Sequence, residues 1–146
     1  MRPLACIALL AAATSVTPAA ADALLRYRVA GDAIPERFAP EPGDAARGKE
    51  VVVGRDSNCL LCHAVPDSGV RAMGDLGPPL AGVGARLTAG QLRLRLVDSS
   101  RLNPDSIMPA YYRVEGLNRV ARELRGKPVL TAQQVEDAVA YLLTLR

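Results

Sequence analysis

Tryptophan is missing from this chain, and phenylalanine, histidine and cysteine are nearly so. There is one Phe, one His and three Cys in 146 residues, and four Tyr complete the aromatics. A chain this long can bury a core, but few large side chains are available to fill it. A broad apolar cofactor is therefore expected to serve as core material. A zinc site wants four N or S ligands, a number the chain reaches only by using its single His and every Cys. No charge of one sign dominates: the formal net charge is +3, and the basic residues are not interleaved with aromatics. That argues against a nucleic-acid binder. No apolar run is long enough to cross a bilayer.

The start of the chain reads as a processing signal. Arg2 gives a short basic region, Leu4 to Ala13 is uncharged and apolar, and Ala19-Ala20-Ala21 offers small residues for a peptidase. Together these predict a secretory signal over 1–21, too short for a membrane span. The mature chain would begin at Asp22 in the periplasm. Cys6 leaves with the signal, too early to be a lipid-bearing cysteine at the cleavage junction. Cys59 and Cys62 then remain as the only thiols, so no cysteine is spare for a disulfide or for nucleophilic catalysis.

Those two thiols stand in Cys59-Leu60-Leu61-Cys62-His63, the C-x-x-C-H pattern of covalent haem attachment. Each cysteine can add across a haem vinyl group, and the histidine that follows is held against the iron. His63 is the one imidazole candidate for the proximal position. A redox dithiol is the competing use of C-x-x-C, but it belongs beside a βαβ pattern, which is absent.

The rest of the chain reads as helices joined by irregular loops. Residues 22–43 are rich in proline and charge and lack periodicity. They predict an extended arm, either a surface tail or a segment ordered against a partner. Asp44 can cap a helix through Val53, with Gly48 inside it at a cost of about 1 kcal/mol against Ala. A close helix crossing there would explain the glycine. After His63, Pro66 to Gly69 and Gly77-Pro78-Pro79-Leu80 predict non-helical backbone. A ligating imidazole usually donates its other N–H to a carbonyl, and Pro78 is the candidate acceptor. Thr88 with Gln91 forms a capping box before Leu92-Arg-Leu-Arg-Leu; that alternation also suits a strand, but the cap and the Ala-Gly-Gln start favour a helix. Asn103-Pro104 is expected to end that element. Thr131 with Gln134 caps a last helix carrying Val135, Ala138, Val139, Leu142 and Leu143 on one stripe. It is expected to cross the first helix at Gly48 beside Tyr141.

A sixth iron ligand must come from elsewhere. Of the two mature methionines, Met108 precedes Pro109, which lacks an N–H and keeps Met108 extended. Met73 lies before Pro78, on the histidine side, and would have to travel round the haem. Met108 is preferred, with Met73, Lys49 and Lys127 as lesser options. Methionine with histidine raises the potential and closes both axial positions, which suits electron transfer better than oxygen binding.

In this order, helix, C-x-x-C-H, Gly-Pro-x-Leu loop, middle helix, Met-Pro and last helix resemble a class I cytochrome c over 44–146. The resemblance implies an all-α single domain around one covalently attached haem c. It carries the histidine-accepting proline onto Pro78 and the helix crossing onto Gly48 and Tyr141. Longer segments, residues 74–88, 102–113 and 126–141, are similar to the SoxX family. That resemblance implies a heterodimer with a SoxA haem subunit. The complex would act as an L-cysteine S-thiosulfotransferase, oxidatively conjugating thiosulfate to a cysteine of the SoxYZ carrier. SoxX would pass the electrons to a soluble cytochrome and would not itself be catalytic. A free-standing periplasmic carrier is the alternative, and an open-haem enzyme such as a peroxidase a more distant one. Arg113, Arg119, Arg122, Arg125 and Lys127 make one stretch basic. It is either a docking surface for anions or an acidic partner, or a solvated face with one residue pairing a haem propionate.

Overall fold

The computed structural model describes residues 24–146. The expected signal over 1–21 lies outside them, as do residues 22 and 23 of the arm. Four α-helices follow in chain order: α1 (Ala45–Val53), α2 (Val83–Arg86), α3 (Ala89–Asp98) and α4 (Ala132–Thr144). Single 3-10 turns at Cys59–Leu61, Ser99–Arg101 and Arg122–Leu124 punctuate the loops. Among the described residues, extended pairing is limited to one bridge between Ala30 and Ala33.

Three helices begin where a polar side chain can take an orphan N–H. Asp44 Oδ1 accepts from the Arg47 amide at 2.8 Å. Thr88 with Gln91 and Thr131 with Gln134 close full capping boxes at α3 and α4. α1 crosses α4 at Gly48. A Cβ there would run into the Asp137 carbonyl and come within 2.8 Å of Tyr141 Cβ. Gly43 meets the Glu136 carbonyl and Gly84 of α2 the Leu143 carbonyl in the same way. Three glycines thus bring backbone directly onto α4. Its buried stripe of Val135, Ala138, Val139 and Leu142 forms the middle of the core.

α3 forms as its capping box leads one to expect and departs from expectation only in where it ends. The Leu-Arg-Leu-Arg-Leu alternation belongs to a helix covered on nearly every side: Leu92, Arg93, Leu94, Leu96 and Val97 are all buried. The helix stops at Asp98, before Asn103-Pro104, and a 3-10 turn carries the chain onward. Asp98 is buried there and draws Arg113 to 3.4 Å and Arg101 to 3.7 Å.

The arm is the larger departure. It is neither a loose tail nor left without contacts of its own. Ile34 and Ala39 are 1% and 4% exposed. The Ile34 amide donates to the Gly90 carbonyl at 2.9 Å. Tyr27, Phe38 and Tyr112 cluster with ring centroids 5.0 to 6.3 Å apart. A buried ion pair organises the junction. Arg93 Nε donates to both Glu136 oxygens at 2.8 and 2.9 Å. Its Nη1 donates to the Ile34 and Pro35 carbonyls, and Glu136 Oε1 accepts from the Phe38 amide at 3.2 Å. Residues 24–43 therefore share the core of the helices. The arm's apolar residues are too sparse to show a period, and Arg93 and Glu136 look in sequence like solvated helix positions.

Candidate functional site

Asn58 turns the chain through the left-handed region (φ 51°) into the 3-10 turn that opens with Cys59. The Cys62 and His63 amides both donate to the Cys59 carbonyl, at 3.2 and 2.9 Å. Cys59 is buried and Cys62 half-buried, and neither is in a disulfide. Burial pushes the Cys59 thiol above its ordinary pKa, against smaller opposing contributions from Ser57 and Tyr111.

The loop that follows is strapped back onto this motif. Gly74, Gly77 and Leu80 amides donate to the Leu60, Cys62 and Ala64 carbonyls at 2.8, 2.7 and 2.8 Å. Such an approach leaves no room for side chains. A Cβ on Gly74 would strike the Leu61 carbonyl, and one on Gly77 would strike the His63 ring. His63 Nδ1 lies 2.7 Å from the Pro78 carbonyl. A carbonyl only accepts, so the proton of a neutral ring is on Nδ1 and the Nε2 lone pair is left for a metal. The expected imidazole–Pro78 contact is thus present.

The four distal candidates stand in different surroundings. Met73 Sδ accepts from the Val65 amide at 3.2 Å and from Ser68 Oγ at 3.6 Å, so its sulfur is engaged beside the histidine segment. Lys49 Nζ donates to the Asp67 carbonyl at 2.8 Å. Lys127 is exposed. Met108 is half-buried against the core. The segment after it is tied to α3 by bonds from the Tyr111 and Tyr112 amides to the Leu96 and Val97 carbonyls.

Tyr111 is a site residue that sequence reasoning missed. It is 5% exposed, and its hydroxyl donates to the Ser57 carbonyl at 2.6 Å. It thereby joins the segment after Met108 to the backbone just before Cys59. Burial raises its phenol pKa, with Cys59 adding to the shift. Nothing in sequence marks a carbonyl that needs a donor; only the position of Tyr111, just past Met108-Pro109, hinted at it.

Apolar side chains stand exposed beside three of these segments: Leu61 at 66%, Leu76 at 71% and Ile107 at 73%. A groove of about 580 Å³ lined by Val53, Arg55, Leu60, Leu61 and Val70 borders the motif. In the basic stretch, Arg113 is drawn inward to Asp98, whereas Arg119, Arg122, Arg125 and Lys127 are exposed. No helix among the described residues is long and apolar enough to cross a membrane. Nor does any group of three or more His, Cys, Asp or Glu side chains there suit a metal ion.

Residues 45–146 match the sequence profile of cytochrome c, and the chain belongs to that family. Its members carry covalently attached haem c, and electron transport follows from that membership. The donor set here suits such a group: two unbridged thiols, an imidazole with its second nitrogen free, and a thioether on a separate segment. Within the family, the likeness to SoxX is supported by a solved structure, SoxXA from P. pantotrophus. The identity is 32%, the TM-score is 0.72, and the match covers 82% of this chain and 93% of that one. The c-type cytochrome SorU from Sinorhizobium meliloti matches less well, at 24% identity and a TM-score of 0.46, covering 69% of this chain and 88% of that one. No curated protein sequence matches the chain.

Proposed function

We propose that this chain is the electron-transfer subunit of a periplasmic SoxAX-type cytochrome that serves thiosulfate oxidation. Cys59 and Cys62 would bond covalently to the haem. His63 Nε2 would hold the iron on one side and the Met108 thioether on the other. Bound there, haem supplies a one-electron couple between ferric and ferrous iron. The chain's own residues set the conditions for it. The Pro78 carbonyl fixes the His63 tautomer and ring orientation, and it makes the opposite nitrogen a better donor to iron. Gly77 gives the ring its space. Held by both His63 and Met108, the iron would keep no position for a substrate, which suits electron transfer.

The sulfur chemistry would belong to partners, because both thiols of the mature chain are spent on the haem. In the proposed reaction a carrier thiol and thiosulfate form a sulfur–sulfur bond, releasing one proton and two electrons. This chain would receive those electrons one at a time from a SoxA-type subunit and pass them to a soluble cytochrome. The exposed Leu61, Leu76 and Ile107 give such partners apolar contact beside the site.

The observation that carries the electron-transfer assignment is the 2.7 Å contact from the histidine of the C-x-x-C-H segment to the Pro78 carbonyl. The test has two parts. The oxidised holoprotein should show a weak near-infrared sulfur-to-iron band that Met108→Ala abolishes and Met73→Ala retains. The secreted chain should co-purify with a second haem polypeptide and become reduced when thiosulfate and the carrier protein are added. Holoprotein that elutes alone and stays oxidised would make it a free-standing carrier.

A further inference from the structure

Met108 is held by its backbone through two serines. Its amide donates to Ser106 Oγ at 3.3 Å, and its carbonyl accepts from Ser99 Oγ at 2.8 Å. The two hydroxyl oxygens lie 3.0 Å apart. Each hydroxyl has one proton to give. Ser99 spends its proton on the Met108 carbonyl, which cannot donate, so the proton between the serines comes from Ser106. The directions close into a ring: Met108 N–H to Ser106, Ser106 O–H to Ser99, Ser99 O–H to the Met108 carbonyl. Every donor in it is used once, and hydrogen bonds linked in this way polarise and strengthen one another.

The ring is anchored at one side. Ser99 is 7% exposed and opens the 3-10 turn that continues directly from α3. Its carbonyl also accepts from the Leu102 and Asn103 amides at 3.0 and 3.1 Å. Pro109 restricts Met108 from the other side. Met108 is therefore fixed in its backbone before its sulfur makes any bond.

We propose that the Ser99–Ser106 ring sets how tightly the Met108 thioether holds iron, by fixing its backbone in advance. This rests on Met108 being the distal ligand. Both serines are positioning residues: they act through Met108. With the ring intact, a competing ligand must displace a preorganised thioether. With it broken, the loop loosens and the competitor gains.

The test uses oxidised holoprotein titrated with imidazole and followed by loss of the near-infrared sulfur-to-iron band. Ser99→Ala and Ser106→Ala should each bind imidazole about fivefold more tightly, the scale of one lost hydrogen bond. Ser100→Ala is the control, since that neighbouring hydroxyl bonds to Asp98 and lies outside the ring. It should bind imidazole like the parent. Parent-like affinity in both ring variants, or an equal gain in Ser100→Ala, overturns the proposal. If Ser99→Ala yields no holoprotein, the half-buried Ser106 decides alone: a fivefold gain supports the ring and parent affinity overturns it. Met108→Ala separates this from the ligand assignment. If it keeps the band, Met108 is not the ligand; if it loses the band while the serine variants match the parent, only the ring fails.

Discussion

His63 keeps its orientation because its neighbours leave it no alternative. The Pro78 carbonyl takes one nitrogen, and Gly77 lies so close to the ring that a methyl group cannot fit. Gly77→Ala should cost about 1–3 kcal/mol through overpacking, read as a lower denaturant midpoint of the holoprotein. An unchanged midpoint would mean the ring has room to move. At this scale much of the site was legible. The attachment motif follows from spacing alone, and Pro78 from the rule that an imidazole ligand is hydrogen-bonded. Placing Met73 on the histidine side follows from chain direction, and its sulfur is indeed engaged there, next to Val65. Tyr111, Ser99 and Ser106 were not legible. They act on backbone groups, and a sequence does not show which carbonyls face inward.

The contact between α1 and α4 rests on glycine and on one carboxylate. Gly48→Ala would drive a methyl into the Asp137 carbonyl, with an expected loss of about 3 kcal/mol in equilibrium unfolding. Asp137 sits at the same crossing. It accepts from Arg47 Nε and Nη2 at 2.8 and 2.7 Å, from the Asp44 amide at 2.8 Å and from Gln133 at 3.1 Å. Burial alone would raise its pKa, but the bond from Arg47, then those from Asp44 and Gln133, outweigh it and hold the carboxyl below its ordinary value. Its stabilisation is therefore complete above the unfolded value of about 4 and is lost as pH falls through the depressed folded value. Asp137→Asn should lower stability at pH 7 by about 1–3 kcal/mol. The gap to the parent should narrow in thermal melts below about pH 4. The helix starts were readable because each carries its own cap. The end of α3 was not, because Asp98 leaves the helix to meet Arg113 and Arg101, which lie beyond it in sequence.

Taken whole, the molecule holds its arm with a charge pair that has little access to water. Arg93→Ala would leave Glu136 buried without its cation, at a cost of about 3–5 kcal/mol. Trypsin should then cut faster at the exposed Arg37, while the helices persist. An unchanged cleavage rate would mean the aromatic cluster alone keeps the arm in place. The sequence could not show this junction, since it joins residues far apart along the chain and looks polar at both ends. The other three α-helices of the described residues and the arm all lean on α4, and α4 is the last of them in the chain. Folding cannot finish before that helix arrives, so the segment carrying Cys59 and Cys62 is synthesised before the element that completes the core. The order of the polypeptide is thus also an order of assembly: the motif is laid down first, and the helix that locks its surroundings comes last.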